Sequence, residues 1–196
     1  VSTPYSAPSD CRKATASETW RVGAERGYDA TTVAAIAAAA DVATRSVSDY
    51  FPSKLDIALS SSNAASERLL IAIQGRAPEA PFVETFIDWL EQETELVDAE
   101  EWRLRAAMFT ANPGLGTGGA MLKGVLTQTA MSALADELEV APDHVATQVC
   151  FGLFAGVMLQ CLGLPERSHA ASSIDTVRAA LDSVLANVNR RLHFAG

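Results

Sequence analysis

Between Gly27 and Lys54 the chain carries its densest set of structural instructions. A helix-forming segment from about Ser9 to Arg26 meets Gly27, a residue suited to ending a helix. Thr31 stands where it can cap a second helix, in which Val33, Ile36 and Ala37 share one face. A short third helix over about Ala43 to Tyr50 is halted by Pro52. Ser53-Lys54-Leu55-Asp56 then has the Ser-x-x-acid form of a capping arrangement and launches a helix to about Gln74. The order is helix, tight turn, helix, then a stop and a restart.

The remainder reads as helix as well. Helical stretches are predicted over 82–98, 100–111, 119–139, 142–163 and 172–192, punctuated by Pro113, Pro142 and Pro165. No segment alternates apolar and polar residues with β-branched enrichment long enough for a strand, and abundant Ala with few aromatics favours helices. The predicted fold is all-α: a three-helix head over 9–58, then a larger helical domain over 59–196, with a proline-marked linker at Arg76–Pro81. Apolar residues are 48% of the 196, enough for a substantial core.

A helix set on a small head this way can enter the major groove of DNA, where base edges present a distinct donor and acceptor code. Val33, Ile36, Val42 and Val47 are predicted to pack the head's core. Thr44, Arg45, Ser46, Ser48 and Asp49 are then left near the outer side of the third helix. Arg45 can bond a guanine edge bidentately, and Thr44 and Ser48 can serve bases or phosphates. Tyr50 and Lys54 suit phosphate anchoring, with backbone amides at Thr31-Thr32 and Ser53-Lys54 beside them. Charge is less favourable. The chain nets −9 with a pI near 4.8. Residues 1–58 carry six basic and seven acidic groups, a net of −1, which leaves −8 elsewhere.

Gly27-Tyr28, Thr31-Thr32-Val33, Ile36-Ala37, Val42, Tyr50-Phe51 and Pro52-Ser53-Lys54 together resemble the DNA-binding domain of TetR-family transcriptional regulators. That resemblance covers about 55 residues if the first helix is counted. It implies a homodimer joined through its last two helices, two heads on a palindromic double-stranded DNA operator, and a C-terminal domain that takes a small effector; the cytoplasm is the compartment expected from three cysteines without a CxxC pair. Repression is the expected action, catalysis is not expected because no cluster of catalytic groups is found, and the lever between domains would be the helix over 54–74. Four positions depart from the family pattern. Asp41 stands where the turn usually has Gly, Ala43 where a Ser cap is usual, and Ser48 where an aromatic is usual. Gly23 stands where a large apolar residue normally packs. With Asp49 facing phosphate, these leave open an alternative: a helical small-molecule-binding protein whose DNA binding is weak or lost.

In the C-terminal part, Ile174, Val177, Leu181, Val184, Val188 and Leu192 form one helical stripe. The preceding helix is apolar nearly all round, with Gly152 and Gly156 four residues apart. Such a helix must be covered on every side, by core alone or by core and a partner, and the family resemblance implies the partner. Candidate walls for an effector cavity are Trp89, Trp102, Met108, Phe109, Met121, Leu126, Phe151, Phe154 and Met158. Arg103, Arg105 and Gln160 are the polar groups that would orient a ligand. An apolar, Met-containing lining suits a hydrophobic effector. Arg103-Leu104-Arg105 through Asn112-Pro113 resembles relatives that sense fatty acyl-CoA, implying an acyl-CoA-like ligand.

Other chemistry is not supported. Gly114-Leu115-Gly116-Thr117-Gly118-Gly119 matches a dinucleotide fingerprint, but helix and Pro113 precede it where a strand is needed. His144, His169 and His193 are too scattered for a metal set, and no cofactor is expected. Cys11, Cys150 and Cys161 form no CxxC pair and read as reduced thiols, Cys150 and Cys161 as small buried residues. No run approaches the ~20 apolar residues of a membrane span.

Overall fold

The computed structural model describes residues 8–116, 124–163 and 170–194. Those residues form α1 (Pro8–Arg26), α2 (Val33–Ala39), α3 (Thr44–Tyr50), α4 (Lys54–Ala58), α5 (Ser60–Gly75), α6 (Phe82–Leu96), α7 (Ala99–Ala111), α8 (Pro113–Gly116), α9 (Val125–Leu138), α10 (Val145–Gly163) and α11 (Ala170–Phe194). There is no strand among them, as composition predicts. Nor is any described helix long and apolar enough to cross a membrane.

The chain divides into two compact units, and the division is discontinuous. One comprises Val1–Asn63 and Ala99–Gly118; the other comprises Ala64–Asp98 and Gly119–Gly196. In this division α7 groups with the head, whereas the sequence expectation is a contiguous split at 58/59. Spacing along one chain cannot show this, because it depends on which buried faces find each other.

In the first unit, Ile36, Ala37, Val47, Phe51 and Ile57 form one cluster, with Val33, Val42 and Tyr50 packed against it. A second cluster joins Ala16 and Trp20 of α1 with Ala58 and with Met108 of α7. Trp20 Nε1 donates to the Ala58 carbonyl at 2.9 Å, which satisfies the only polar atom of a buried indole. Thr15 and Thr19 are fully buried because each hydroxyl bonds back to a carbonyl one turn earlier. Gly23, expected to leave a packing deficit, is instead where α7 comes close: Met108 fills that space.

Three local expectations change. Thr32, not Thr31, caps α2: its hydroxyl accepts from the Ala35 amide at 3.1 Å, while Thr31 is buried and donates to the Gly27 carbonyl. The helix expected over 54–74 is interrupted at Leu59, whose amide bonds both Ile57 and Leu55 carbonyls. Ser60 reinforces the break by bonding the Ile57 carbonyl, as serines competing for backbone do. The turn into α3 forms as expected, with Asp41 left-handed at φ 53° and Ala43 giving no side-chain cap.

In the second unit, α6 buries Phe82, Val83, Phe86, Ile87, Trp89 and Leu90 on one face. Phe154 of α10 meets Phe82 and Phe86 edge-on, at centroid separations of 4.8 and 5.0 Å. Glu93 is 1% exposed and tolerates burial because Arg68 holds both its oxygens, at 2.5 and 2.8 Å. Arg178 of α11 pairs with Glu84 of α6. Glu137 of α9 accepts from the Phe82 amide at 2.7 Å, capping α6 from outside its own segment. Along α11, Ile174, Leu181 and Leu185 are buried and Val177, Val184, Val188 and Leu192 are half-buried. Cys150 is buried, as its small apolar reading implies.

Candidate nucleic-acid interface

The short helix α3 owes its placement to two anchors. Val47 is fully buried against Ile36 and Ala37, and Phe51 closes the helix from below by donating its amide to the Val47 carbonyl. With Val47 inward, Thr44, Arg45, Ser48 and Asp49 are exposed, and Ser46 and Tyr50 are half-buried. Ser48 donates its hydroxyl to the Thr44 carbonyl at 3.2 Å, leaving only its lone pairs for an outside donor. Arg45 has no ion-pair partner among the described residues, so its guanidinium is available. Thr32 is exposed at the start of α2, though its hydroxyl oxygen already serves as the cap.

Two residues of the expected DNA-facing set turn inward. Thr31 is buried and bonded within the head. The Lys54 ammonium donates to the carbonyls of Tyr28 and Thr31 at 2.8 and 2.9 Å and stands 4.1 Å from the Tyr28 ring centroid. A cation so committed ties the loop before α2 to the start of α4. Burial, then the nearby carboxylates of Asp29 and Asp56, push the Tyr28 phenol up, so the ring facing Lys54 stays neutral. Ser53 caps α4 as its pattern predicts, accepting from the Asp56 amide at 3.2 Å and donating to the Asp56 carboxylate at 2.6 Å.

Two contributors escaped sequence reasoning. Arg12 of α1 is exposed and lies 5.3 Å from the centroid of Phe51, which places a cation beside the end of α3. Nothing in the Arg12-Lys13 dipeptide signals that position. Asn112, just beyond α7, bonds the Tyr28 amide and the Gly23 carbonyl. Its only signal is the Asn-Pro step, which ends a helix and leaves a polar side chain at the stop.

The effector candidates are distributed between the two units. Phe151, Phe154 and Met158 join Leu69, Phe82, Phe86, Leu126, Ala130 and Ala155 around a wholly apolar cavity of about 20 Å³. Trp89 is buried in the same unit, its Nε1 donating to the Ala65 carbonyl at 3.1 Å. Trp102, Arg105, Met108 and Phe109 belong to the head unit, Met108 and Phe109 in or against its core. Arg105 is buried over the Trp102 ring and donates to Ser61 Oγ at 2.8 Å, and Arg103 pairs with Glu100 on the surface. Met121 and the side chain of Gln160 lie outside the described residues. Of the glycine-rich segment, Pro113–Gly116 is a helical turn and Thr117–Gly119 also lie outside them.

Residues 17–60 match the family model described as bacterial regulatory proteins, tetR family. Solved structures agree with the fold along nearly the whole chain. Salmonella enterica GusR superposes with a TM-score of 0.56 at 17% identity, over 94% of this chain and 100% of that one. A Mesorhizobium loti protein described as a candidate TetR-family transcriptional regulator gives 0.53 at 18% identity, over 93% and 98%. A TetR-family transcriptional regulator from Streptomyces coelicolor gives 0.50 at 19%, over 93% and 88%. No curated protein sequence matches. Residues 17–60 thus carry the DNA-binding helix-turn-helix domain of the tetR family, and the chain shares the all-helical fold of these solved structures along nearly its whole length.

Proposed function

We propose that this protein is a ligand-responsive repressor, without catalytic activity, that binds a palindromic operator as a homodimer and leaves it when a small apolar effector binds. The observation that carries this is α3: a helix anchored by buried Val47 with Thr44, Arg45, Ser48 and Asp49 exposed. On a two-fold operator, two such helices read successive major grooves about 34 Å apart. Arg45 is the base reader in this account, with Thr32, Thr44, Ser46, Ser48 and Tyr50 at or near the backbone. Thr31 and Lys54 support that surface from within.

Dimerisation through α10 and α11 is favoured by what α10 leaves uncovered. Val145, Val149 and Leu153 are 67%, 52% and 39% exposed, with Gly152 and Gly156 on the same side. A groove of about 460 Å³ between the start of α10 and the end of α11 continues that apolar face. A helix with bare apolar and small residues in one stripe suits close packing against a second copy. The effector reading rests on the phenylalanine-lined seam in the second unit, wholly apolar and too small as it stands. It suits a hydrophobic, acyl-like group that enters by parting α6, α9 and α10.

A DNA duplex selected from a random pool by the purified protein tests the reading. Binding to a palindrome, with preference at one base pair lost in Arg45→Ala, supports it; a chain that selects nothing sinks it. The second reading, a helical ligand binder with weak DNA affinity, is favoured by the exposed Asp41 and Asp49 and by the inward turn of Lys54. A selected duplex held no more tightly than random DNA would favour it.

A further inference from the structure

The end of α1 is completed by a side chain that lies more than eighty residues further along. Gly27 takes the left-handed conformation, at φ 84°, that commonly closes a helix. In a self-contained end of this kind, the amide of the next residue bonds the carbonyl five positions back. Here those groups are the Tyr28 amide and the Gly23 carbonyl, and they are joined through Asn112. Asn112 Oδ1 accepts from the Tyr28 amide at 2.8 Å, and Asn112 Nδ2 donates to the Gly23 carbonyl at 3.0 Å. The second Nδ2 proton goes to the Met108 carbonyl of α7 at 2.8 Å. Both donors and the oxygen of the carboxamide are used, and a flipped amide would set its oxygen against two carbonyls.

The position follows from sequence. Pro113 biases the residue before it away from the helical region, so α7 ends at Ala111 and Asn112 is free to fold back. The turn that Asn112 holds is the one that aims α2. Thr31 bonds the Gly27 carbonyl across it, and Lys54 bonds the carbonyls of Tyr28 and Thr31 from α4. The loop before the helix-turn-helix is therefore tied to α7 on one side and to α4 on the other.

We infer that Asn112 is a positioning residue for DNA reading: its carboxamide bridges Gly23 and Tyr28, and so fixes the direction in which α2 and α3 leave α1. This rests on the repressor reading for its consequence, though not for its geometry. Without the bridge the head keeps its core, yet samples other turn conformations. Apparent affinity then falls by the fraction of molecules that remain competent.

The test uses the full chain as wild type, Asn112→Ala and Asn112→Asp, with a duplex selected by the wild type and with amide hydrogen exchange. In Asn112→Ala the Tyr28 amide should exchange about tenfold faster or more, while the core amides of Ala37 and Val47 keep their protection. Duplex affinity should fall about 5- to 20-fold with base preference unchanged. Asn112→Asp retains the acceptor and loses both donors, so its affinity relative to wild type should recover on acidification, when the acid regains an O–H. A merely structural role would not produce that pH dependence. Unchanged Tyr28 exchange in Asn112→Ala, a uniform loss of protection, or wild-type affinity would each overturn the inference. A wild type that selects no duplex removes the repressor reading and the affinity claim together; the exchange result still decides whether Asn112 holds the turn.

Discussion

A Cβ added to Gly23 would stand 3.1 Å from Cγ and 3.3 Å from Sδ of Met108. α1 and α7 thus meet where glycine clears a fully buried methionine, which packs with Trp20, Ala16 and Ala58. A larger residue at 23 and Met108 compete for one volume. Gly23→Leu should therefore destabilise the head by about 1–3 kcal/mol through overpacking, despite the better helix propensity of Leu. Met108→Ala should cost about 2–5 kcal/mol through the cavity it leaves. The double variant should be more stable than the sum of the two losses predicts, by on the order of 1 kcal/mol. Chemical unfolding of the three variants measures the coupling, and strict additivity would show that the two positions do not share space.

Lys54 is spent on two carbonyls and a ring, and that separates it from a phosphate contact. Lys54→Met should lower stability by about 1.5–3 kcal/mol, since hydrogen bonds to a charged group are lost and carbonyls are stranded. The slope of log affinity against log salt on a selected duplex should stay as in wild type. A phosphate-contacting lysine would reduce that slope by about 1 on removal. Salt titrations of wild type and Lys54→Met decide between the two roles.

Asp41 sits at φ 53° with its carboxylate exposed in the turn before α3. Glycine occupies that region without steric cost, although it loses more entropy on folding. Asp41→Gly should raise stability by about 0.5 kcal/mol and tighten duplex binding at low salt, because a negative charge leaves the phosphate side. Asp41→Ala removes the same charge and keeps the backbone strain. If only the glycine variant tightens binding, the turn geometry matters and the charge does not.

Cys150 of α10 is buried, and burial followed by the nearby Glu137 carboxylate pushes its thiol up from 9.0. A raised thiol pKa keeps the proton in the folded state at a pH where the unfolded chain has released it. Stability should therefore fall as pH climbs through the ordinary thiol range, and be unaffected by this group at neutral pH. Cys150→Ala removes this contribution, so its unfolding free energy should show a shallower alkaline decline than wild type. Alkylation of native Cys150 should be slow at neutral pH and fast in denaturant.

Much of the head was legible in the residues alone. Gly27, Asp41, Pro52 and Ser53 each act within a few residues of themselves, through backbone preference or local capping, while the cap of α2 fell to Thr32, one residue beyond the one expected. The helical spacing of Val33, Ile36 and Ala37 told which face of α2 goes inward, and Val47, an apolar residue among polar ones, told by exclusion which side chains of α3 go out. The effector set was less legible. An apolar side chain has the same pattern whether it lines a cavity or fills a core, and Met108 proved to fill one.

By itself, then, the sequence determined where helices start and stop and which side of each is apolar, because those properties depend on neighbours within one or two turns. Only tertiary structure decided that α7 belongs with the head, that Met108 fills the space beside Gly23, and that Asn112 completes the end of α1. Tertiary structure likewise turned Lys54 inward. Each of these joins partners more than twenty residues apart, and a carboxamide or ammonium with several possible partners is committed only when packing brings one set within reach.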